Sequence, residues 1–384
     1  MNNIAIIAVA YNRVNSLSRL LNSLEKAWYG NERPTLIISI DKSKSDLVER
    51  YADDYVWPHG DKIIKKHEKN MGLRSHMMSL GQWFKKYDTL VVLEDDLVVS
   101  PAFYNYTRQA SDKYFNNPKI AGISLYSFST NYISLTPFSP IINEYDGYFM
   151  NCAMSWGEIW MKNQWIEFYK WYLGHQEFSD EPHLPRCLHT WSKSWLKYHT
   201  KYCIENDKYF LYPYVAHSSN FSDPGTHNEN AQYSTFQLVL QQGIKTYSFP
   251  DDESQAVCYD GFFENKALYQ VLGLTEKDCC IDLYGTKCNR MRCKYWLTTD
   301  IINLPIVKSF GIVYKPMEQN VIQQIAGSGI FLYECSKQSY SIKHNSNVLL
   351  YRYNIDNLAS FLRSYGLVNI VKMYLKKLKT KICF

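Results

Sequence analysis

The segment Leu90-Val91-Val92-Leu93-Glu94-Asp95-Asp96-Leu97-Val98-Val99-Ser100-Pro101 sets three consecutive carboxylates between two apolar runs. These groups cannot share one environment, because burying an unpaired carboxylate costs several kcal/mol. A buried parallel strand that delivers its acidic end to a cleft resolves the conflict. In open α/β sheets ligands bind beyond the carboxyl ends of the strands, where acidic side chains can hold a hard divalent cation. An acidic turn that merely follows a strand is the plainer alternative.

The sequence before this segment repeats its pattern. Ile4 to Val9 reads as a fully buried strand that ends in Ala10-Tyr11-Asn12-Arg13. Leu17, Leu20, Leu21, Leu24 and Trp28 then recur at helical spacing, with Asn12 or Asn15 placed to cap. A second strand, Leu36 to Ile40, finishes on Asp41. Lys62-Ile63-Ile64 precedes a polar turn, Glu68 to Arg74, and a helix expected from about Ser75 to Lys86 leads into the strand Thr89 to Leu93. Alternating strands and helices imply a parallel sheet, so Asn12/Arg13, Asp41, Asn70 and Glu94 to Asp96 converge on one edge.

Downstream, Pro101 opens a helix carrying Phe103, Tyr106, Ala110 and Tyr114 on one face, and Ile120 to Ser124 is a short strand. Tyr126 to Asn143 has no clear period and reads as a long loop over the cleft. Tyr148 to Ala153 leads into Ser155-Trp156-Gly157-Glu158 and an aromatic helix expected over Ile159 to Tyr172. Residues 174 to 190 read as a loop, Trp191 to Tyr202 as a helix, and Tyr209 to Pro213 as a strand that enters a polar loop, Val215 to His227. Beyond about residue 262 the pattern changes. The expected division is a catalytic region over 1–262 and an accessory region over 263–384. After Asp356 there is no acidic residue, and Leu367, Val371, Tyr374, Leu375, Leu378 and Ile382 form an apolar stripe opposite Lys372, Lys376 and Lys379. Such a helix can lie on an anionic membrane surface or dock on the protein, and the sequence leaves both readings open.

Composition narrows the partners. A net charge of +5 over 384 residues, with no Lys/Arg run in the first 350, argues against nucleic acid. The first apolar run, Ile4 to Ala10, is too short for a secretory signal, and no apolar run is long enough to span a bilayer. Reduced thiols in a cytoplasm are therefore expected for the 10 cysteines, with the protein at most resting on the inner membrane face. Cys279, Cys280, Cys288 and Cys293 cluster without a C-x-x-C pair, which favours buried thiols over structural zinc.

Leu93 to Tyr104 resembles the Glu-Asp-Asp region of N-acetylglucosaminyltransferase I and its relatives, in which an acidic strand end precedes a Pro-x-Phe helix. Ala10 to Arg13 resembles the first turn of GT-A glycosyltransferases, and Tyr148 to Trp165 their acceptor-side Gly/Trp segment. Asn220 to His227 is similar to the corresponding ending in bacterial glycosyltransferases of surface polysaccharide assembly. The resemblance implies a GT-A, Rossmann-like α/β fold with a mixed, mostly parallel sheet, a UDP-linked sugar donor, Mn²⁺ or Mg²⁺, and a glycan or lipid-linked acceptor. Carried over by position, Asp96 would hold the cation. Tyr11, Asn12, Arg13, Asp41, Asn70, Gly72, Leu73, Glu94, Asp95 and His227 would line the donor. The relatives carry a general base in a Trp-rich helix, whereas Thr190 to Trp195 has no carboxylate here. Asp180, Glu181, Glu158 and Asp223 are the candidates.

The reaction expected from this resemblance is an inverting, metal-dependent sugar transfer. A sugar-1-phosphate nucleotidyltransferase would share the sheet, but Ala10 to Asn15 lacks the glycines that cradle a triphosphate. A non-catalytic sugar-binding protein of the same fold is the third possibility.

Overall fold

A computed structural model describes residues 2–179, 181–221, 223, 236–288, 292–335, 340–353, 360, 362–372 and 375. The chain divides into two compact units, Met1–Gly273 with Thr286–Asn289, and Leu274–Gly285 with Arg290–Phe384.

The first unit is built on strands that the apolar runs dictate. β1 (Ile4–Ala10), β2 (Thr35–Ile40), β3 (Lys62–Lys66) and β4 (Thr89–Glu94) form a wholly parallel half-sheet in the order β4-β1-β2-β3. β1, β2 and β4 are covered on both faces, which is why their sequences run apolar without alternation. Val9 lies opposite Glu94 and Ala10 opposite Ile40, so the parallel register brings the polar turns after three strands to one edge.

After β5 (Leu97–Val99), the other half of the sheet starts with β6 (Ile120–Ser124) and is mixed. Outward from β4 it runs through Glu158–Met161, β6, Tyr209–Pro213, Gly147–Met150 and Cys258–Tyr259, with Glu158–Met161 antiparallel to both β4 and β6. The fold is thus a mixed α/β sheet, mostly parallel, as the sequence implied. Helices cover one face of it: α1 (Val14–Glu25) buries Leu17, Leu20, Leu21 and Leu24 there. Each of these leucines contributes about 2 kcal/mol of burial.

Three local expectations need correction. Glu158 to Met161 is a strand, not the start of a helix, because all four residues are buried between neighbouring strands. The helix begins after it at Lys162. The segment expected to cover the cleft instead packs inward, with Tyr126, Phe128 and Phe138 buried and Phe128 edge-on to Phe263 at 4.9 Å. The helix before β4 is shorter than expected: Gly72–Ser79 is α-helical and Leu80–Lys85 continues as a 3₁₀ turn.

In chain order the remaining helices of the half-sheet are α2 (Leu47–Asp54), α3 (Gly72–Ser79) and α4 (Phe103–Tyr114), the last packing Phe103, Tyr106, Ala110 and Tyr114 on the same core as α1. On the other face, α5 (Lys162–Gly174) stacks Trp165 on Trp160 with ring centroids 4.0 Å apart.

The second unit has a four-stranded sheet in the order Cys279–Asp282, Tyr295–Thr298, Ile330–Glu334, Ile306–Phe310. Its core gathers Cys280, Trp296, Ile302, Leu304, Phe331 and Tyr333. The helix Ser346–Tyr353 follows, and residues 362–372 are helical. Cys152, Cys187, Cys203, Cys258, Cys288 and Cys335 are free thiols. No helix among the described residues is long and apolar enough to cross a membrane.

Candidate active site

Glu94 closes β4, and the chain turns through Asp95 and Asp96 into β5. That turn is fastened from two sides. Strand Ser218–Asn220 pairs antiparallel with β5, and the Phe221 N–H donates to the Asp96 carbonyl at 2.8 Å. At the other end Ser100 N–H donates to the His217 carbonyl at 2.8 Å, and Ser100 Oγ accepts from Ala102 N–H at 3.0 Å as α4 begins. His217 is buried there, with Nδ1 3.2 Å from Ser100 Oγ, Nε2 3.2 Å from Tyr247 Oη, and its ring stacked on Tyr106. Burial holds its pKa down at about 3, so the imidazole is neutral.

The guanidinium of Arg13, from the turn after β1, faces the acidic triplet. It donates to both oxygens of Asp95 and lies 3.4 Å from Asp96 Oδ2. Among the described residues Arg13 pairs with Asp95 and Asp96, and its charge also acts on Glu94. Burial pushes the Asp95 carboxyl up to about 6 against the pull of Arg13. Burial, then the charges of Asp96 and Asp95, push Glu94 up to about 8, although the Ser155 side chain hydrogen-bonds to it. The Ser155-Trp156-Gly157 turn is placed beside the triplet by its own geometry. Gly157 has φ +97° with Ser218 Oγ at 2.9 Å from where a Cβ would sit, and the Trp156 carbonyl accepts from Ser218 Oγ.

No protein-family model matches the chain, and no curated protein matches it. Solved structures do resemble it. A mannosyltransferase from Pyrobaculum calidifontis in complex with GDP-Man and Mn²⁺ matches at 12% identity with a TM-score of 0.31, over 42% of this chain and 45% of that one. S. aureus TarS 1-349 matches at 13% identity and 0.36, over 56% and 59%. GalNAc-T7 with UDP, GalNAc and Mn²⁺ matches at 12% identity and 0.38, over 56% and 42%. The chain spans about half the length of these glycosyltransferase structures. TM-scores of this size mark a partial likeness and carry no functional conclusion.

The donor-side residues divide by what they touch. Tyr11 and Asn12 are exposed at the end of β1, and Leu73 is exposed at the start of α3. Asp41 is buried and already engaged: its carboxylate accepts from Met71 N–H at 2.8 Å, Gly72 N–H at 3.0 Å and Lys42 N–H at 2.9 Å. It therefore ties the end of β2 to the first turn of α3. Asn70, exposed, donates to the Lys42 carbonyl at 3.0 Å in the same junction. Gly72 sits at φ +73°, a conformation that side chains disfavour. Asp41→Ala leaves three partly buried backbone donors without this acceptor and is expected to lower stability by about 1–3 kcal/mol, read from urea unfolding midpoints. A change under about 0.5 kcal/mol would show that the junction does not need this carboxylate.

The candidate bases also separate. Glu158 is 1% exposed and accepts from Trp160 Nε1–H at 2.5 Å, with His199, also 1% exposed, nearby. Its carboxylate is enclosed within the core of the first unit. Glu181 is bound to Lys201 and Ser179, and that lysine lowers its pKa. Asp180 and His227 lie outside the described residues. Asp223 is brought to the triplet: it follows Phe221, its charge is felt by Asp95, and Arg19 of α1 pairs with it while stacking on the Phe221 ring at 3.7 Å. The stretch Thr190 to Trp195 approaches α3 through Arg74, which donates to the Ser192 carbonyl, but carries no acid. Arg19 was not identified from the sequence, and Phe221 and His217 lie in the polar loop Val215 to His227 without having been given a role there. Their spacing resembles that of ordinary helix and loop residues, and only the fold joins them to Asp96.

Proposed function

We propose that the first unit is a metal-dependent GT-A glycosyltransferase that moves a sugar from a UDP-linked donor to a hydroxyl of a glycan or lipid-linked acceptor in bacterial surface polysaccharide synthesis. The observation that supports this most is the crowding of Glu94, Asp95 and Asp96 at the carboxyl end of β4 against a single guanidinium. Formally, three negative charges and one positive leave two negative charges beside one sheet edge. All the donor atoms are carboxylate oxygens, which suits a hard divalent cation, Mn²⁺ or Mg²⁺.

Asp96 would hold that cation, since Asp95 is taken up by Arg13 and Glu94 by Ser155. When bound, the ion supplies Lewis-acid neutralisation of the departing diphosphate. The residues of the chain supply the rest. Arg13 can turn part of its donor fork from Asp96 to a phosphate oxygen, in the planar geometry guanidinium favours. The exposed ring of Tyr11 offers a face for a base. Asp223, engaged with Arg19, is the carboxylate best placed to take the acceptor proton in an inverting displacement.

Incubation of the purified chain with Mn²⁺ and a panel of UDP- and GDP-sugars tests this. Slow release of nucleoside diphosphate from at least one donor, stopped by a chelator, is expected. Failure of every nucleotide sugar to react or bind would overturn the reading. Pyrophosphate release from a nucleoside triphosphate and a sugar 1-phosphate would replace it with nucleotidyl transfer.

A further inference from the structure

The second unit carries a surface that sugar transfer does not use. Residues 362–372 are helical, and on them Leu367 is 66% exposed, Val368 67% and Val371 46%; Leu375, also helical, is 51% exposed. At 100° per residue Leu367, Val368 and Val371 fall on one side of the described helix, within a sector of about 100°. A folded chain does not leave such a stripe in water without a partner. Its flanks say what kind. From residue 357 to the end the sequence carries Arg363, Lys372, Lys376, Lys377, Lys379 and Lys381 and no Asp or Glu. An apolar protein groove would be served by the stripe alone. A run of cations with no anion among them fits a surface that is apolar just below a negatively charged layer.

We infer that this helix seats the protein on an anionic lipid bilayer, with Leu367, Val368 and Val371 entering the acyl boundary and Arg363 and Lys372 meeting headgroup phosphates. The inference is independent of what the cleft of the first unit does. If the acceptor is lipid-linked, such seating would hold the enzyme on the surface that carries it.

The test is co-sedimentation of the full chain with vesicles of phosphatidylcholine alone or with about one third phosphatidylglycerol. Partitioning is expected to be at least tenfold higher on the anionic vesicles and to weaken as salt is raised. Leu367→Glu with Val371→Glu should lower it roughly tenfold or more without moving the melting temperature, because both positions are exposed, and Val371→Leu should retain it. Equal partitioning on both vesicle types, no partitioning on either, or wild-type binding by the double variant would each overturn the inference. So would a chain that ignores vesicles but is a dimer which the double variant splits, since the stripe would then join two copies.

Discussion

Asp96→Asn is expected to lower turnover by roughly 10²–10³ while leaving the fold intact. The side chain is only partly buried, at 21% exposure, and its nearest cationic partner, Arg13, keeps its stronger pairing with Asp95. Removing one charge from the triplet also relieves Glu94, so the melting temperature should hold or rise. Asp95→Asn should behave differently. It cuts the main anchor of Arg13, so a loss of stability accompanies any loss of activity. Steady-state rates set beside thermal melts separate the two. Full activity in Asp96→Asn would remove this residue from the metal site.

The second large effect is a pH dependence of stability that a divalent cation abolishes. Without metal, Glu94 and Asp95 have folded-state pKa values of about 8 and about 6, above those of the unfolded chain. The folded protein then binds protons the unfolded chain has released, and stability falls as pH rises, through about pH 8 for Glu94. Two buried histidines act oppositely. His217 is held at about 3 and His76, against Ser39 at 2.7 Å, at about 4, so below about pH 6.5 the unfolded chain takes up protons the folded one refuses. Stability is lost there as pH falls. The two pairs offset each other between about pH 4.5 and 6.5, and Glu94 stands alone above. Metal-free protein should therefore lose about 1 kcal/mol per pH unit from about pH 6.5 to 8, measured by urea unfolding. Glu94→Gln should flatten this slope, and Mn²⁺ should stabilise more at pH 8 than at pH 6.5. A flat metal-free profile in wild-type protein would mean that burial and the neighbouring carboxylates do not hold the Glu94 proton.

What the sequence made legible follows from burial. β1, β2 and β4 are covered on both faces, so their residues had to be apolar without interruption, and a carboxylate triplet at the end of such a run could lie only at an edge. α1 was legible because four leucines at helical spacing leave one face for the core. The burial of Glu158 was not legible, because charge suggests access. Here an indole N–H from Trp160 accompanies the carboxylate inside the sheet. At Asp41 the sequence left the partners open: a carboxylate at a strand end can accept from a ligand or from the first N–H groups of a helix, and the sequence is the same in both cases. The Arg19, Phe221 and Asp223 assembly joins residues about two hundred positions apart, and local spacing contains no trace of it.

The central claim is that the triplet at the end of β4 holds a divalent cation together with a nucleotide diphosphate. Calorimetric titration of UDP into wild-type protein, with and without Mn²⁺, tests it most directly. Binding is predicted to appear with Mn²⁺, to weaken at least tenfold without it, and to lose that dependence in Asp96→Asn. UDP binding of equal strength in all three cases, or no binding in any, would contradict the account.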